Sequence, residues 1–256
     1  MKATAFEFRY RFWFFVVIYT LGFTAPWDFW VHLDGSGPNA HVWGLLAVQL
    51  AKTGAMSIAS AFNVLLVAAI VCAFAGAWLR TWGAAYLSTG VVHDTNMRCD
   101  SVVADGPFRH VRNPLYLGSW LNTLALTLLM PASGAVFTIV LVGFFSLRLI
   151  FGEEAHLRAT LGEPYVAYCA KVPRMVPRFT VHGSRFKGSD DAGQPPQWGQ
   201  AALTEIFMWG SALSFAVLGW RYDAMLLLQC VLVWLGVSLV VKAFTGREAQ
   251  GERAQG

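Results

Sequence analysis

Two stretches of the chain concentrate the side chains that can do chemistry. The first, DGPFRHVRNPLYLG at residues 105 to 118, sets Arg109, His110, Arg112 and Asn113 between prolines and directly against the apolar run SWLNTLALTLLM. Pro114 disfavours the helical region for Asn113, so an extended backbone with exposed donors is expected there. Arg109 and Arg112 are three apart, as are His110 and Asn113. Such a cluster suits an anion or a nucleotide. It would also suit a juxtamembrane cluster that snorkels to lipid phosphates.

The second stretch is GEEAHLRATLGEPYVAYCAKVPRMVPRF, residues 152 to 179. Glu153 and Glu154 sit at the end of an apolar helix, where the negative end of the helix dipole disfavours a carboxylate. Two adjacent acids at that depth call for a cation, and Arg109, Arg112 and Arg148 are the candidates. A solvated helix with a Glu154–Arg158 pair at i,i+4 is the alternative. Tyr165 and Tyr168 are three apart on one helical face and would close over whatever lies between the two stretches, or simply pack. His93 and Asp94 lie just upstream of the first stretch, as acceptor contacts or a general base, or as solvated loop residues.

What must position these groups is a membrane scaffold. Of the 256 residues 56% are hydrophobic and only 13% charged, about half the charged share of a soluble domain. A span needs roughly 20 apolar residues, and six segments qualify: 12 to 31, 58 to 79, 116 to 130, 134 to 151, 203 to 220 and 223 to 244. Residues 40 to 52 are too short and are expected to form an interfacial helix ended by Gly54. The basic N-terminal run lacks a convincing cleavage pattern and reads as a retained first helix. The MPASG turn at 130 to 134 is too tight for an intervening domain, so its flanking helices form a hairpin. That hairpin returns residue 152 to the membrane face of residue 115.

Six spans with a cytoplasmic N-terminus leave only Lys52 and Arg221, of 19 Lys and Arg, on the far side, as the positive-inside rule requires. The net charge of +4 therefore reads as membrane orientation, and no nucleic-acid partner is expected. Cys72, Cys99, Cys169 and Cys230 show no paired spacing, and no metal-ligand cluster is visible. The expected fold is all-α: a polytopic transmembrane bundle of about six spans plus an interfacial helix. Its expected organisation is N-terminal membrane helices to residue 80, a core at 81–181, a linker at 182–200, a two-helix membrane segment at 201–246 and a tail at 247–256.

GPFRHVRNPLYLG, followed about 35 residues later by EEAHLRATLGEPYVAYCAKVPRMVPR, resembles the isoprenylcysteine carboxyl methyltransferase and phospholipid methyltransferase superfamily. These are integral-membrane enzymes that use S-adenosylmethionine. The resemblance covers about residues 78 to 179. Asn113 stands where the family usually has histidine, which removes a titratable group from that position. The resemblance implies a cytoplasmic cofactor pocket beside the hairpin. Gly106, Pro107, Arg109, His110, Arg112, Asn113, Pro114, Tyr116 and Gly118 would form one wall, and Glu153, Glu154, Leu157, Tyr165 and Tyr168 the other. Arg112, Glu153 and Tyr116 would act at the reacting centre, with His93, Asp94 and Arg148 toward the acceptor.

The implied function is methyl transfer to a lipophilic or membrane-embedded acceptor, on O, N or S, in what reads as a bacterial inner membrane with both termini cytoplasmic. Two alternatives are an NADPH-dependent membrane reductase of related architecture and a non-enzymatic transporter or lipid-binding protein. NADPH would need further basic residues for its 2′-phosphate, and transport pathways place ionisable groups near the midplane, where this chain has few.

Overall fold

A computed structural model describes residues 2–25, 27, 40–87, 103–178 and 196–253. All regular structure among them is helical. α1 (Ala5–Arg9) and α2 (Arg11–Thr24) are followed by α3 (Val42–Lys52), α4 (Ile58–Tyr86), a 3₁₀ turn at Gly106–Arg109, α5 (Pro114–Thr127), α6 (Ala132–Leu161) and α7 (Glu163–Lys171). Then come α8 (Trp198–Thr204), α9 (Ile206–Leu218), a second 3₁₀ turn and α10 (Ala224–Arg253).

Among the described residues, three or four of the six expected spans are long enough to cross as single or bent helices. Three helices are long and apolar enough to cross a bilayer: α4, α6 and the Ala224–Phe244 part of α10. The α8–α9 pair, bent by 70°, makes a fourth if it counts as one span. The described helices within 12–31 and 116–130 have 14 residues each, a rise of about 21 Å against a hydrocarbon core of roughly 30 Å. α3, with 11 residues, is shorter still, in keeping with the interfacial helix expected at 40–52.

The hairpin forms as expected, with α5 and α6 joined by the short turn at 128–131. α4 packs along α5, and the contact needs glycine: a Cβ on Gly118 would lie 2.7 Å from the Gly76 carbonyl oxygen and 2.6 Å from Arg80 Cγ. Gly22 and Gly134 make a second close crossing, where a Cβ on Gly134 would collide with the Gly22 carbonyl. Such small-residue contacts give helices in an apolar medium their dispersion contact. The central core gathers Trp43, Leu66, Ala73, Leu126, Leu129, Phe215 and Leu227 from five helices and the hairpin turn. α3 is fixed by its first amides, since Val42 N–H donates to Met130 O at 2.9 Å and Trp43 N–H to Leu128 O at 3.0 Å.

The N-terminal helix is tied to the end of α6. Thr4 and Glu7 form a capping box. Arg148 donates twice to the Glu7 carboxylate, at 2.8 and 3.1 Å, and Ala3 N–H donates to Arg148 O at 3.0 Å. The guanidinium, with help from the Thr4 backbone, holds Glu7 down to about 2. Arg148, expected at the acceptor, is thus engaged as the anchor of α1.

Candidate functional site

The first stretch folds as a turn, a bend and a helix start. Gly106 opens the 3₁₀ turn at φ 59°, and its missing side chain matters, because a Cβ would meet the Tyr86 ring at 2.6 Å. Asn113 sits just ahead of α5 at φ −123°, ψ 60°, outside the helical region as its following proline dictates. Its side chain does not cap α5. Instead Nδ2 donates to Arg174 O at 3.1 Å and faces Glu154 Oε1 at 3.4 Å.

The second stretch is held against the first by backbone and side chains alike. Arg112 N–H donates to Pro173 O at 2.9 Å, and Arg178 N–H to His110 O at 3.0 Å. Tyr168 O–H donates to Phe108 O at 2.7 Å. Tyr165, Tyr168 and Val172 are buried together, with Leu157 packed against them. Burial pushes both phenols well above their ordinary range, so they serve as neutral packing and hydrogen-bonding groups.

Glu154 is the buried centre of this clasp. Arg174 donates to both its oxygens, at 3.0 and 2.8 Å, and Arg112 Nε lies 3.5 Å from Oε1. The bond to Glu154 raises the Arg174 pKa further. Arg112 is one of the cations expected for the paired acids. Arg174 was not expected and replaces Arg109, Arg148 and the i,i+4 partner Arg158. Arg109 pairs at the surface with Asp105 at 2.8 Å.

Glu153 points elsewhere. Tyr116 O–H donates to its Oε1 at 2.8 Å across 37 residues of chain, and Oε2 accepts no hydrogen bond from the described residues. The two adjacent acids thus have separate tasks: Glu154 ties the clasp, and Glu153 retains acceptor capacity. Arg112 Nε, 3.5 Å from Glu154 Oε1, is buried and makes no hydrogen bond among the described residues.

Beside the clasp lies a cavity of about 400 Å³ lined by Trp82, Tyr86, Asp105, Gly106, Arg109 and His110, within the usual size range of small-molecule sites. Gly106, Arg109 and His110 come from the expected wall. Trp82, Tyr86 and Asp105 were missed, although two aromatics at i,i+4 at the end of an apolar helix were a visible signal. Pro107, Pro114 and Gly118 are buried scaffold residues. Arg112, Asn113, Tyr116, Glu153, Glu154, Leu157, Tyr165 and Tyr168 are not among the residues that line the cavity. His93 and Asp94 lie outside the described residues.

The donor set fits an adenosyl amino acid: two aromatic faces for a purine, a carboxylate for a ribose diol or an amine, and a cation for a carboxylate. Comparison with known proteins gives two matches. The family model described as phospholipid methyltransferase matches residues 43–163. A protein named Protein-S-isoprenylcysteine O-methyltransferase, from Schizosaccharomyces pombe, is 38% identical over 78 residues. That match covers 30% of this chain and 33% of the relative, so the chain spans about a third of the relative's length. No solved structure matches the chain.

Proposed function

Kinship with the isoprenylcysteine carboxyl and phospholipid methyltransferases, shown by these matches, is the premise from which we propose an S-adenosylmethionine-dependent methyltransferase acting on a lipophilic acceptor. One observation carries the proposal. The two motifs of the resemblance meet directly through Tyr116 and Glu153 at 2.8 Å and Asn113 and Glu154 at 3.4 Å, beside a cavity whose donors suit the cofactor.

In this reading Trp82 and Tyr86 flank the purine, and the cofactor opens the Asp105–Arg109 pair, turning Asp105 to the ribose diol and Arg109 to the cofactor carboxylate. Glu153, oriented by Tyr116 where the two motifs meet, is outside the cavity lining and is assigned to the cofactor's amino end. The bound cofactor supplies an electrophilic methyl group on a sulfonium. The chain itself then has to align and desolvate the acceptor, and little dedicated acid–base chemistry is required. Arg112, held beside Glu154, is assigned to orient an acidic acceptor. The relative's name concerns an isoprenylated cysteine, and the apolar helices around the site suit a membrane-embedded acceptor of that general kind. With Arg109, Arg112, Arg158, Lys171, Arg174 and Arg178 clustered at one end of the hairpin, that end is assigned to the cytoplasm.

The test is calorimetric titration of the purified, detergent-solubilised protein with S-adenosylmethionine, S-adenosylhomocysteine and NADPH. Binding of the first two without the third is the expected result. Binding of NADPH alone would turn the reading toward a reductase, and binding of none would end it.

A further inference from the structure

α4 contains a single charged residue, Arg80, and the described segment from residue 196 through 220 contains a single one, Glu205. They find each other. Arg80 Nε donates to Glu205 Oε2 at 2.6 Å and Nη2 to Oε1 at 2.8 Å, and Glu205 is only 3% exposed. Burying two charges in an apolar bundle costs several kcal/mol of hydration, so apolar packing alone would have served the scaffold better. The remaining donor of Arg80 points to a purpose. Nη1 donates to Leu115 O at 3.1 Å and to Ser119 Oγ at 2.7 Å, both in the first turns of α5. Ser119 O–H also donates to Leu115 O, at 3.0 Å.

That part of α5 needs an external brace. The helix opens at Pro114 with no side-chain cap, because Asn113 is committed to Glu154 and Arg174. Tyr116, the partner of Glu153, follows Leu115 directly. Gly118 makes the brace possible, since any Cβ there would meet Arg80 Cγ at 2.6 Å. Glu205 sits at the break between α8 and α9, where the chain bends by 70°, so the bend is what delivers its carboxylate to Arg80. Neither Glu205 nor the helices that carry it fall within the family match, which ends at residue 163.

We propose that Glu205, acting through Arg80, is a positioning residue for the Tyr116 turn, which makes the bent α8–α9 element part of the catalytic unit. The placement of the turn stands on geometry alone; its consequence for cofactor binding rests on the methyltransferase reading. Two arms keep them distinguishable, with Glu205→Ala and the shape-conserving Glu205→Gln compared in detergent. In hydrogen-exchange mass spectrometry, amides of residues 115–121 exchange about tenfold faster in Glu205→Ala, with a smaller rise in Glu205→Gln, while those of 138–150 in α6 keep their wild-type rates. Unchanged exchange at 115–121 in both folded variants would overturn the proposal whatever the protein binds.

In calorimetry with S-adenosylhomocysteine, Glu205→Ala weakens binding about tenfold, yet adds less than about twofold once Tyr116→Phe is present, because both changes act through one contact. Fully additive losses would mean a merely structural role and would also overturn it. A wild-type protein that binds no S-adenosylhomocysteine would sink the methyltransferase reading and leave the exchange arm to decide the positioning role.

Discussion

Removing the Glu154 carboxylate should be the most damaging single truncation in the clasp. Its side chain is 6% exposed and neutralises two guanidinium groups. In Glu154→Ala, Arg174 loses its partner, but with 34% of its side chain exposed its charge rehydrates, and that loss counts for about 1 kcal/mol or less. Arg112, with a 9% exposed side chain, has no such escape. Stranding a buried charge costs about 3–5 kcal/mol, and the 3.5 Å separation places this case at the low end, about 3 kcal/mol. For a chain of this size about 1 kcal/mol moves the unfolding midpoint by roughly 2–4 °C. Thermal unfolding in detergent should therefore show a drop of about 6–12 °C in Glu154→Ala. The decisive variant is Arg112→Met in the Glu154→Ala background, which removes the stranded charge and should restore about half of the loss. No recovery, or a further drop, would refute the assignment of the penalty to Arg112.

Gly118→Ala forces a Cβ against the Gly76 carbonyl and Arg80, and should destabilise the protein by about 1–3 kcal/mol in the same unfolding assay. Because the Glu7 carboxylate is held down to about 2 from an ordinary 4.5, its tie to Arg148 contributes fully above about pH 4.5. The contribution is lost as pH falls through about 2. Limited proteolysis with pepsin across that window should show the N-terminal segment becoming cleavable, and Glu7→Gln should remove the acid-dependent step. Arg109→Ala, which deletes an exposed side chain at the cavity, should leave the unfolding midpoint within about 2 °C. It should weaken S-adenosylmethionine binding about tenfold, a loss of about 1.4 kcal/mol of charge-assisted pairing read by calorimetry.

Much of the site was legible because its logic is local. Pro114 predicted the non-helical Asn113, and the MPASG turn predicted that residues 115 and 152 would share a membrane face, where Tyr116 and Glu153 now meet. The membership of the clasp was less legible. Arg174 lies between two prolines in an irregular stretch, where no period says which way a side chain points, so the expected partners were Arg109, Arg112 and Arg148, with Arg158 as the alternative. The six spans were only partly recovered among the described residues, for a different reason. Hydropathy reads apolar run length, whereas α5 is shortened by Pro114 at one end and by the hairpin turn at the other. Arg80 and Glu205 could have been found, since a lone charge within an apolar run is itself a signal that a partner exists.

The docking of α3 on the hairpin turn bears on how the chain is made. The leading amides of α3 find their acceptors in Leu128 and Met130, which emerge from the ribosome about 85 residues later. Until then those donors can be satisfied only by water, because an unmet backbone amide in hydrocarbon costs several kcal/mol. During synthesis α3 must therefore wait at the wet edge of the bilayer for the turn at 128–131 to arrive. A cysteine placed early in α3 should react with a water-soluble thiol reagent in a nascent chain truncated before the hairpin, and should be protected in one extended beyond it.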